Sequence, residues 1–335
     1  MVSGIVGCGR PSLVRLEDWD ALEGDDAPRA RPPFRGLVVA AALCILPWSW
    51  FLVRDRASIM DLVAVALPPL GVGTAVLILL VSAVWRSWLG ALVALSVAAF
   101  TVVAVAGPRT SQAAPAPQQP LRLAAANVYE LNERPGDAVD ALLARDADVL
   151  AVLEGEPDLT EPLDAAFKHA LDEGHISIHS DYPMRQLPSG ASIRHQRVMR
   201  ARIWGPAGPF ILYVVHQMNP LYDAAFSEQT QDLQALVARA SSEKQPVVFA
   251  GDFNMSDRSR GYRELSDSFR DAMRAGTPAG STYENGLWSA LFLRIDHIFT
   301  TPAWCAANGG RFPVPGSDHE GVEALLGPCP QPAGG

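Results

Sequence analysis

Apolar positions along the chain fall into two regimes. Before residue 107 they form long uncharged runs; after residue 120 they come in short runs broken by Gly, Pro and charged residues. Three long runs stand out: Gly36–Val53 (GLVVAAALCILPWSWFLV), Leu62–Trp85 and Trp88–Ala106. At a rise of about 1.5 Å per residue, each is long enough to cross roughly 30 Å of hydrocarbon. Trp48, Trp50, Trp85 and Trp88 stand near the run ends, where amphipathic rings favour the membrane interface. Pro47, Pro68 and Pro69 are tolerated in such spans. Only Arg86 and Ser87 separate the second run from the third, so these two form a tight hairpin. The pattern predicts three transmembrane helices over residues 36–106.

The first run is an anchor rather than a cleavable signal peptide. A polar, partly acidic tail over residues 1–35 precedes it, and no small-residue cleavage pattern follows. Arg29, Arg31, Arg35 and Arg86 fall on one side of the membrane; Arg54, Arg56 and Arg109 fall on the other. The excess of positive charge places the N-terminal tail in the cytoplasm. Three crossings then put everything after the third run outside it. Residues 107–120 (GPRTSQAAPAPQQP) read as an extended, poorly packed linker.

From residue 121 to 328 strand and helix patterns mix. Residues 121–128, 147–154, 246–250 and 294–301 read as strands. VMRARIW and PFILYVVH read as a hairpin across Gly-Pro-Ala-Gly. GDAVDALLARD, PDLTEPLDAAFKHALDEG and FSEQTQDLQALVARASSE carry apolar residues at helical spacing, the second ending on Gly174. Helices mixed with hairpins indicate an α/β domain with partly antiparallel sheets rather than a doubly wound fold.

Charge and cysteine usage narrow the picture further. Past residue 120 there are 28 acidic and 18 basic side chains, a balance of -10. Bulk charge therefore does not suit this segment to coating duplex nucleic acid. Cys305 and Cys329 are its two cysteines. They fit either a disulfide formed in an oxidising compartment or two separate thiols.

Polar residues stand at the ends of apolar strands: Asn127, Glu154, His216 and Asp252. Such capping is what a site on the rim of a sheet would look like. Asp252 and Asn254, two apart in VVFAGDFN, share a side if the backbone stays extended. A buried Glu154 needs a cation, an arginine or solvent beside it. In PGSDHEG, Asp318 can hold a metal while His319 reaches the atom that the metal polarises. In RIDHIF, Asp296 and His297 face opposite sides; Asp296 can orient an imidazole, and His297 is structural. Asn127, Glu154 and Asp318 are hard oxygen donors without a thiolate, a set suited to Mg²⁺ or Mn²⁺. The arginines of SIRHQRVMRAR (Arg194, Arg197, Arg200 and Arg202) read as a solvated face.

Taken in order, AANVYELN, DVLAVLEGE, LYVVHQMNP, VVFAGDFN, RIDHIF and GSDHEGV resemble the endonuclease/exonuclease/phosphatase (DNase I-like) superfamily over Leu121 to Leu326. The resemblance departs from the usual pattern at Leu153, where Gln is more frequent. It departs again after His319, where Glu320 and Gly321 follow, and after Asn127, where no acid follows at the second position. It implies a four-layer α/β/β/α sandwich that hydrolyses phosphoesters. Glu154, helped by Asn127 and Asp318, would bind the divalent cation. Asp252 would orient or deprotonate water, and Asn254 would hold it or a phosphoryl oxygen. His319, buttressed by Asp296, would contact the phosphoryl group or act as base, and His216 would donate to another phosphate oxygen.

The expected protein is a multi-pass membrane hydrolase acting outside the cytoplasm on a phosphoester, most often a phosphodiester. Its substrates would be a lipid head group, a nucleic acid or an inositol phosphate. The alternative is a non-catalytic binding or sensor module on the same anchor. A transport role is disfavoured because the runs hold no charge in mid-membrane.

Overall fold

The computed structural model describes residues 38–39, 41–43, 45–53, 59–107, 115–189, 196–219, 226–276, 280–284, 286 and 293–330. The expected cytoplasmic tail over residues 1–35 lies outside them, as do Arg194 and half of the expected linker, residues 108–114.

Among the described residues two helices are long and apolar enough to cross a membrane, Val63–Val84 and Trp88–Ala106. They belong to α2 (Ile59–Val84) and α3 (Trp88–Ala106). The first run, expected as a third span, is described only in part, with helix α1 over Ile45–Val53. The α2–α3 hairpin turns at Trp85, Arg86 and Ser87, and the Ser87 hydroxyl accepts from Gly90 N–H at 3.2 Å to cap α3. Small residues let the two helices approach closely. A Cβ on Gly71 would lie 2.1 Å from Thr101 Oγ1, and one on Gly90 would lie 2.1 Å from Ser82 Oγ.

The remaining elements form two six-stranded sheets. The first holds β1 (Leu121–Asn127), β2 (Val149–Leu153), β3 (His169–Glu173), β4 (Ile176–Ser180), β11 (Trp304–Pro313) and β12 (Glu320–Pro328), in the order β11-β12-β1-β2-β4-β3. The second holds β5 (Met184–Leu187), β6 (Gln196–Gly205), β7 (Gly208–Gln217), β8 (Val247–Asp252), β9 (Arg270–Asp271) and β10 (Asp296–Thr300), in the order β5-β6-β7-β8-β10-β9. Each sheet mixes parallel and antiparallel pairs; β1–β2 and β7–β8 are parallel.

Strand alternation explains the layers. Leu121, Leu123 and Ala125 of β1 meet Phe210, Leu212 and Val214 of β7 and Val248 and Ala250 of β8 in the core between the sheets. The opposite face of the first sheet packs on α4 (Pro135–Leu143) and α5 (Pro157–Ala166) through Val139, Leu142, Leu159 and Leu163. The opposite face of the second packs on α6 (Phe226–Ser241) and α7 (Arg260–Ser268) through Leu233, Leu236, Tyr262 and Leu265. The result is an α/β sandwich. Cys305 and Cys329 are joined as a disulfide across the outer end of the β11–β12 hairpin, which resolves the open choice between a bridge and two thiols. The end of the linker is better packed than its composition implies, since Gln118 N–H donates to Pro328 O at 2.8 Å.

One helix differs from its expected length. PDLTEPLDAAFKHALDEG is helical only to Ala166; Phe167 is extended and His169–Glu173 is the edge strand β3. Its pairing with β4 through five residues offers the backbone ladder bonds that a marginal, Pro-containing helix lacks. Gly174 then turns the β3–β4 hairpin with φ 67°.

The sandwich is bonded to helix α2 through side-chain contacts. Pro68 has no N–H, so the carbonyl of Ala64 loses its helical partner. The Arg258 guanidinium donates to that carbonyl at 3.0 Å, and Arg260 N–H donates to Asp61 Oδ1 at 2.7 Å. Arg258 and Asp61 are both buried there.

His297 sits among Phe253, Tyr262 and Phe299 in the outer core, with Nε2 3.1 Å from Met255 O, as the structural reading of the sequence requires. Burial, together with the Arg294 charge, depresses its pKa to about 4. The unfolded chain therefore takes up this proton first, and stability falls as pH drops from about 6.5 through about 4. A His297→Gln variant is expected to lack this loss, which amounts to about 3 kcal/mol below pH 4 by the depression of the pKa. Denaturant unfolding of both proteins between pH 7 and pH 4 measures it; parallel profiles would refute a neutral buried imidazole.

Candidate active site

The site forms where the core between the sheets opens at the strand ends. Asn127, His216, Asp252 and Asp296 continue the inward-facing positions of β1, β7, β8 and β10. Register completes the placement. Asp252 pairs with His216 on one side and with Asp296 on the other. Gly251 makes this possible: its φ is 128°, and a Cβ would lie 2.3 Å from Val215 O.

Glu154 arrives by a different device. Alternation after Leu153 would turn it outward. Its φ of 59° instead swings the carboxylate back over the end of β1. A non-glycine residue held in that region costs roughly 1–3 kcal/mol, a strain found chiefly where function or ligand requires it. Asn127 Nδ2 donates to Glu154 Oε1 at 2.8 Å and Glu130 N–H donates to Oε2 at 3.2 Å. His216 Nε2 stands 3.2 Å from Oε1. Burial opposes the charge on Glu154, yet hydrogen bonds from His216 and Asn127 outweigh it and hold the carboxyl at about 2.

The orientation of Asn127 is fixed from behind. Tyr129 N–H, which can only donate, faces Oδ1 at 3.1 Å, so Nδ2 points at Glu154 and, at 3.4 Å, at Asp252 Oδ2. In this geometry the Asn127 amide nitrogen orients the Glu154 carboxylate.

Asp252 and Asn254 are together, though not along an extended strand. β8 ends at Asp252, and Asn254 adopts φ 46°. Asp252 Oδ1 accepts Asn254 N–H at 2.8 Å and Oδ2 accepts Nδ2 at 3.0 Å, a local Asx arrangement. Asn254 Nδ2 also donates to Gln217 O at 2.7 Å. Burial first, and then the neighbouring Asp296, push the Asp252 carboxyl up.

His319 closes the cluster. Nδ1 lies 2.9 Å from Asp296 Oδ2, and Nε2 lies 3.9 Å from Asp252 Oδ2. Burial disfavours its charge, but Asp296 and Asp252 raise it to about 10. Asp252, Asp296 and His319 bring ligand atoms within 4.8 Å of one another. Here, however, the imidazolium already supplies the positive charge between the carboxylates. A cation at that point would have to displace its proton.

Several supporting residues were not assigned roles from sequence. Ser317 Oγ donates to Asn127 O at 2.8 Å and accepts His319 N–H at 2.9 Å, tying the end of β1 to the loop before β12 in the same sheet. Thr282 Oγ1 accepts Ile295 and Asp296 N–H, each at 3.0 Å. The Tyr283 ring stands 5.0 Å from that of His319. Nothing in a Thr-Tyr dipeptide signals such a role. Arg197 pairs in register with His216 at the site rim, and its side chain is exposed, as a solvated face requires. Arg200 instead is held by Glu243 at 2.5 Å on the outer side. Asp318 is half-buried beside His319, and its carbonyl accepts Glu284 N–H at 2.7 Å.

The donor set fits a hard divalent cation. Glu154 is ionised, is reached by solvent and has its orientation fixed by an amide and a backbone N–H, while Asp318 is a further carboxylate at the rim. The disulfide removes the two cysteines past residue 120 as soft ligands.

A sequence model of the Endonuclease/Exonuclease/phosphatase family matches residues 124–319, from β1 to His319 itself. No curated protein matches the chain. Solved structures share the fold. Humanized D. rerio TDP2 carrying 14 mutations is 17% identical with a TM-score of 0.51, covering 62% of this chain and 99% of that one. An endonuclease/exonuclease/phosphatase from Beutenbergia cavernae DSM 12333 is 19% identical with a TM-score of 0.52, covering 65% and 74%. D. rerio TDP2 complexed with single-strand DNA product is 16% identical with a TM-score of 0.52, covering 62% and 99%. At such identities the likeness is one of fold, whereas the sequence match takes in most of the chain and each strand end that builds the site. The chain belongs to the Endonuclease/Exonuclease/phosphatase family.

Proposed function

We propose that the protein is a membrane-anchored, divalent-metal-dependent phosphoester hydrolase that cleaves a phosphodiester outside the cytoplasm. One observation carries this reading: an unbroken line of contacts from Glu154 through Asn127, Asp252 and His319 to Asp296, built from both sheets. It places an ionised oxygen donor at one end and a held imidazole at the other, with a carboxylate between.

Glu154 and Asp318 would hold Mg²⁺ or Mn²⁺, with Asn127 fixing Glu154. When bound, the ion supplies electrophilic stabilisation of charge on the phosphoryl group. The chain's own residues do the rest. Asp252, kept in place by both nitrogens of Asn254, accepts a proton from water. The water oxygen bonds to phosphorus as the bond from phosphorus to the leaving alcohol breaks, and the leaving oxygen takes a proton from solvent. His319 presents Nε2–H to a phosphoryl oxygen, and Asp296 holds its Nδ1–H and so sets its orientation. His216 and Arg197 add positive charge on the β6–β7 side. TDP2 binds a single-strand DNA product in one of the structures of this fold. Here the anchor favours a substrate at the bilayer surface, such as a lipid head group, over bulk nucleic acid.

The α2–α3 hairpin and the α1 run would anchor the protein as a multi-pass membrane protein with the sandwich outside. The Cys305–Cys329 disulfide supports an oxidising compartment.

Full-length protein in detergent is expected to release p-nitrophenol from bis-p-nitrophenyl phosphate with Mg²⁺ or Mn²⁺ and to stop when the metal is chelated. A metal-binding protein that turns over neither this nor any phospholipid, nucleotide or inositol phosphate would instead be a binding module. Asp252→Ala and His319→Ala should each lower kcat by about 10²–10⁴-fold. Glu154→Gln should raise the Mg²⁺ concentration needed for half-maximal rate; an unchanged requirement would remove Glu154 from the metal site. In intact cells, a membrane-impermeant maleimide applied after reduction should label Cys305 or Cys329. Labelling only after lysis would place the sandwich inside.

A further inference from the structure

We propose that the open outer face of β5 and β6, built around Arg185 and Arg202, docks on the phosphate headgroups of an anionic bilayer surface. Charge along the chain already sets this segment apart. Past residue 120 there are 28 acidic and 18 basic side chains, yet residues 182–222 hold five arginines and no acidic residue. The sheet then turns part of this charge to one side. Met199, Ala201 and Ile203 of β6 point into the core between the sheets, so Arg200, Arg202 and Trp204 point outward. On β5, Met184 packs on the core between the sheets and Leu187 on the outer core, which places Arg185 outward as well.

Register sets two of these cations against each other. Arg185 pairs with Arg202 across β5 and β6. Side chains opposed in this way have Cβ atoms about 5 Å apart, and like charges there are destabilising. Among the described residues neither guanidinium has an acidic partner, and the buried Nε–H of Arg202 donates to nothing. The carboxylates of neighbouring elements are engaged elsewhere. Glu243 accepts from Arg200 at 2.5 Å and from the Tyr213 hydroxyl at 2.7 Å. Glu173 accepts from Gln186, on the inward side of β5, at 2.7 Å, and Asp181 pairs with Lys168 at 3.4 Å. Arg239 of α6 and the exposed Lys244 add positive charge on either side of Glu243 in the chain. Two guanidinium forks on one strand pair match the oxygens of a phosphate, and an anion between them turns their repulsion into attraction.

Trp204 selects the bilayer as the source of that phosphate. Its indole is 41% exposed, two residues from Arg202 on the same face. A tryptophan beside cationic side chains is the composition of a surface that meets lipid headgroups. The outer side of the second sheet is also the side that meets α2. There α6 and α7 cover β7, β8 and β10, and Asp61 and Ala64 of α2 bond to Arg260 N–H and Arg258. The face of β5 and β6 continues this side past α6. Arg202 stands five residues along β6 from Arg197, about 17 Å at about 3.3 Å per residue, so the face is separate from the catalytic cluster. Docking there would set the tilt of the sandwich on the bilayer.

The docking rests on the reading that α2 and α3 span a bilayer, and one experiment separates the two. Full-length protein is assembled into nanodiscs of phosphatidylcholine alone or of equal phosphatidylcholine and phosphatidylglycerol. Its arginines are then modified with phenylglyoxal and followed by peptide mass spectrometry. Protein that stays outside the discs defeats the anchor, and the docking with it. In the discs, phosphatidylglycerol should slow modification of Arg185 and Arg202 by about fivefold, the population shift that one basic side chain near an anionic leaflet supplies. Arg134, exposed at the start of α4 over the other sheet, should keep its rate. An Arg202→Gln protein should lose the protection of Arg185 while turning over bis-p-nitrophenyl phosphate as before. Equal rates in the two lipids, or protection of Arg185 that survives Arg202→Gln, overturns the docking alone. Equal protection in phosphatidylcholine discs by glycerol 3-phosphate or by a single-stranded oligonucleotide would make the ligand a soluble one and also overturn it.

Discussion

Two carboxylates side by side at the mouth of a dry core are tolerable only with a positive charge between them, and His319 provides it. Asp252 and Asp296 are paired in register on neighbouring strands, each 1% exposed. Left ionised and uncompensated, such a pair is costly by several kcal/mol. With His319 held by Asp296 and facing Asp252, the same burial becomes a preorganised dipole at the end of the sandwich. The remainder of the site depends on this arrangement. Ser317 fixes the His319 backbone and the end of β1 together, and Thr282 satisfies the amides at the start of β10. Tyr283 covers the imidazole.

A second line of buried charge leads away from the same strands. Arg294, fully buried and two residues before Asp296, donates to Asp271 at 2.6 Å and meets Asp257 at 3.4 Å. Asp257 in turn pairs with Arg258, which bonds to the Ala64 carbonyl on α2. Each charge in this line is matched, as buried ions must be. The line joins the segment after Asp252 and Asn254 to helix α2 by bonded contacts. The helix end and the catalytic strands are therefore one connected structure.

Much of this organisation was legible in the chain. Long uncharged runs mark α2 and α3, helices long and apolar enough to cross a membrane. The central strands β1, β2, β7, β8 and β10 were legible because strands buried on both faces read as short apolar runs with a polar residue at the tip. Those tips were the candidate residues, and they converge. Edge elements were less legible. HALDE continues a helical pattern and becomes β3 only through its pairing with β4, and strand β11 carries no strong periodic signal. That Arg197 stands beside His216 is known only once the register of β6 with β7 is known.

By itself, the order of residues determined which segments are apolar, which carry carboxylates and imidazoles, and that the latter stand at strand ends. Local propensity and period decide those features, and both are properties of neighbours along the chain. Only the tertiary structure decided which of these groups meet. Asn127 and Asp252 are 125 residues apart, and their contact exists because two sheets stack. The contact of the Asn127 amide with Glu154 and the bond from Arg258 to a carbonyl freed by Pro68 both depend on partners distant in sequence. Long-range packing selects them, and no local pattern encodes them.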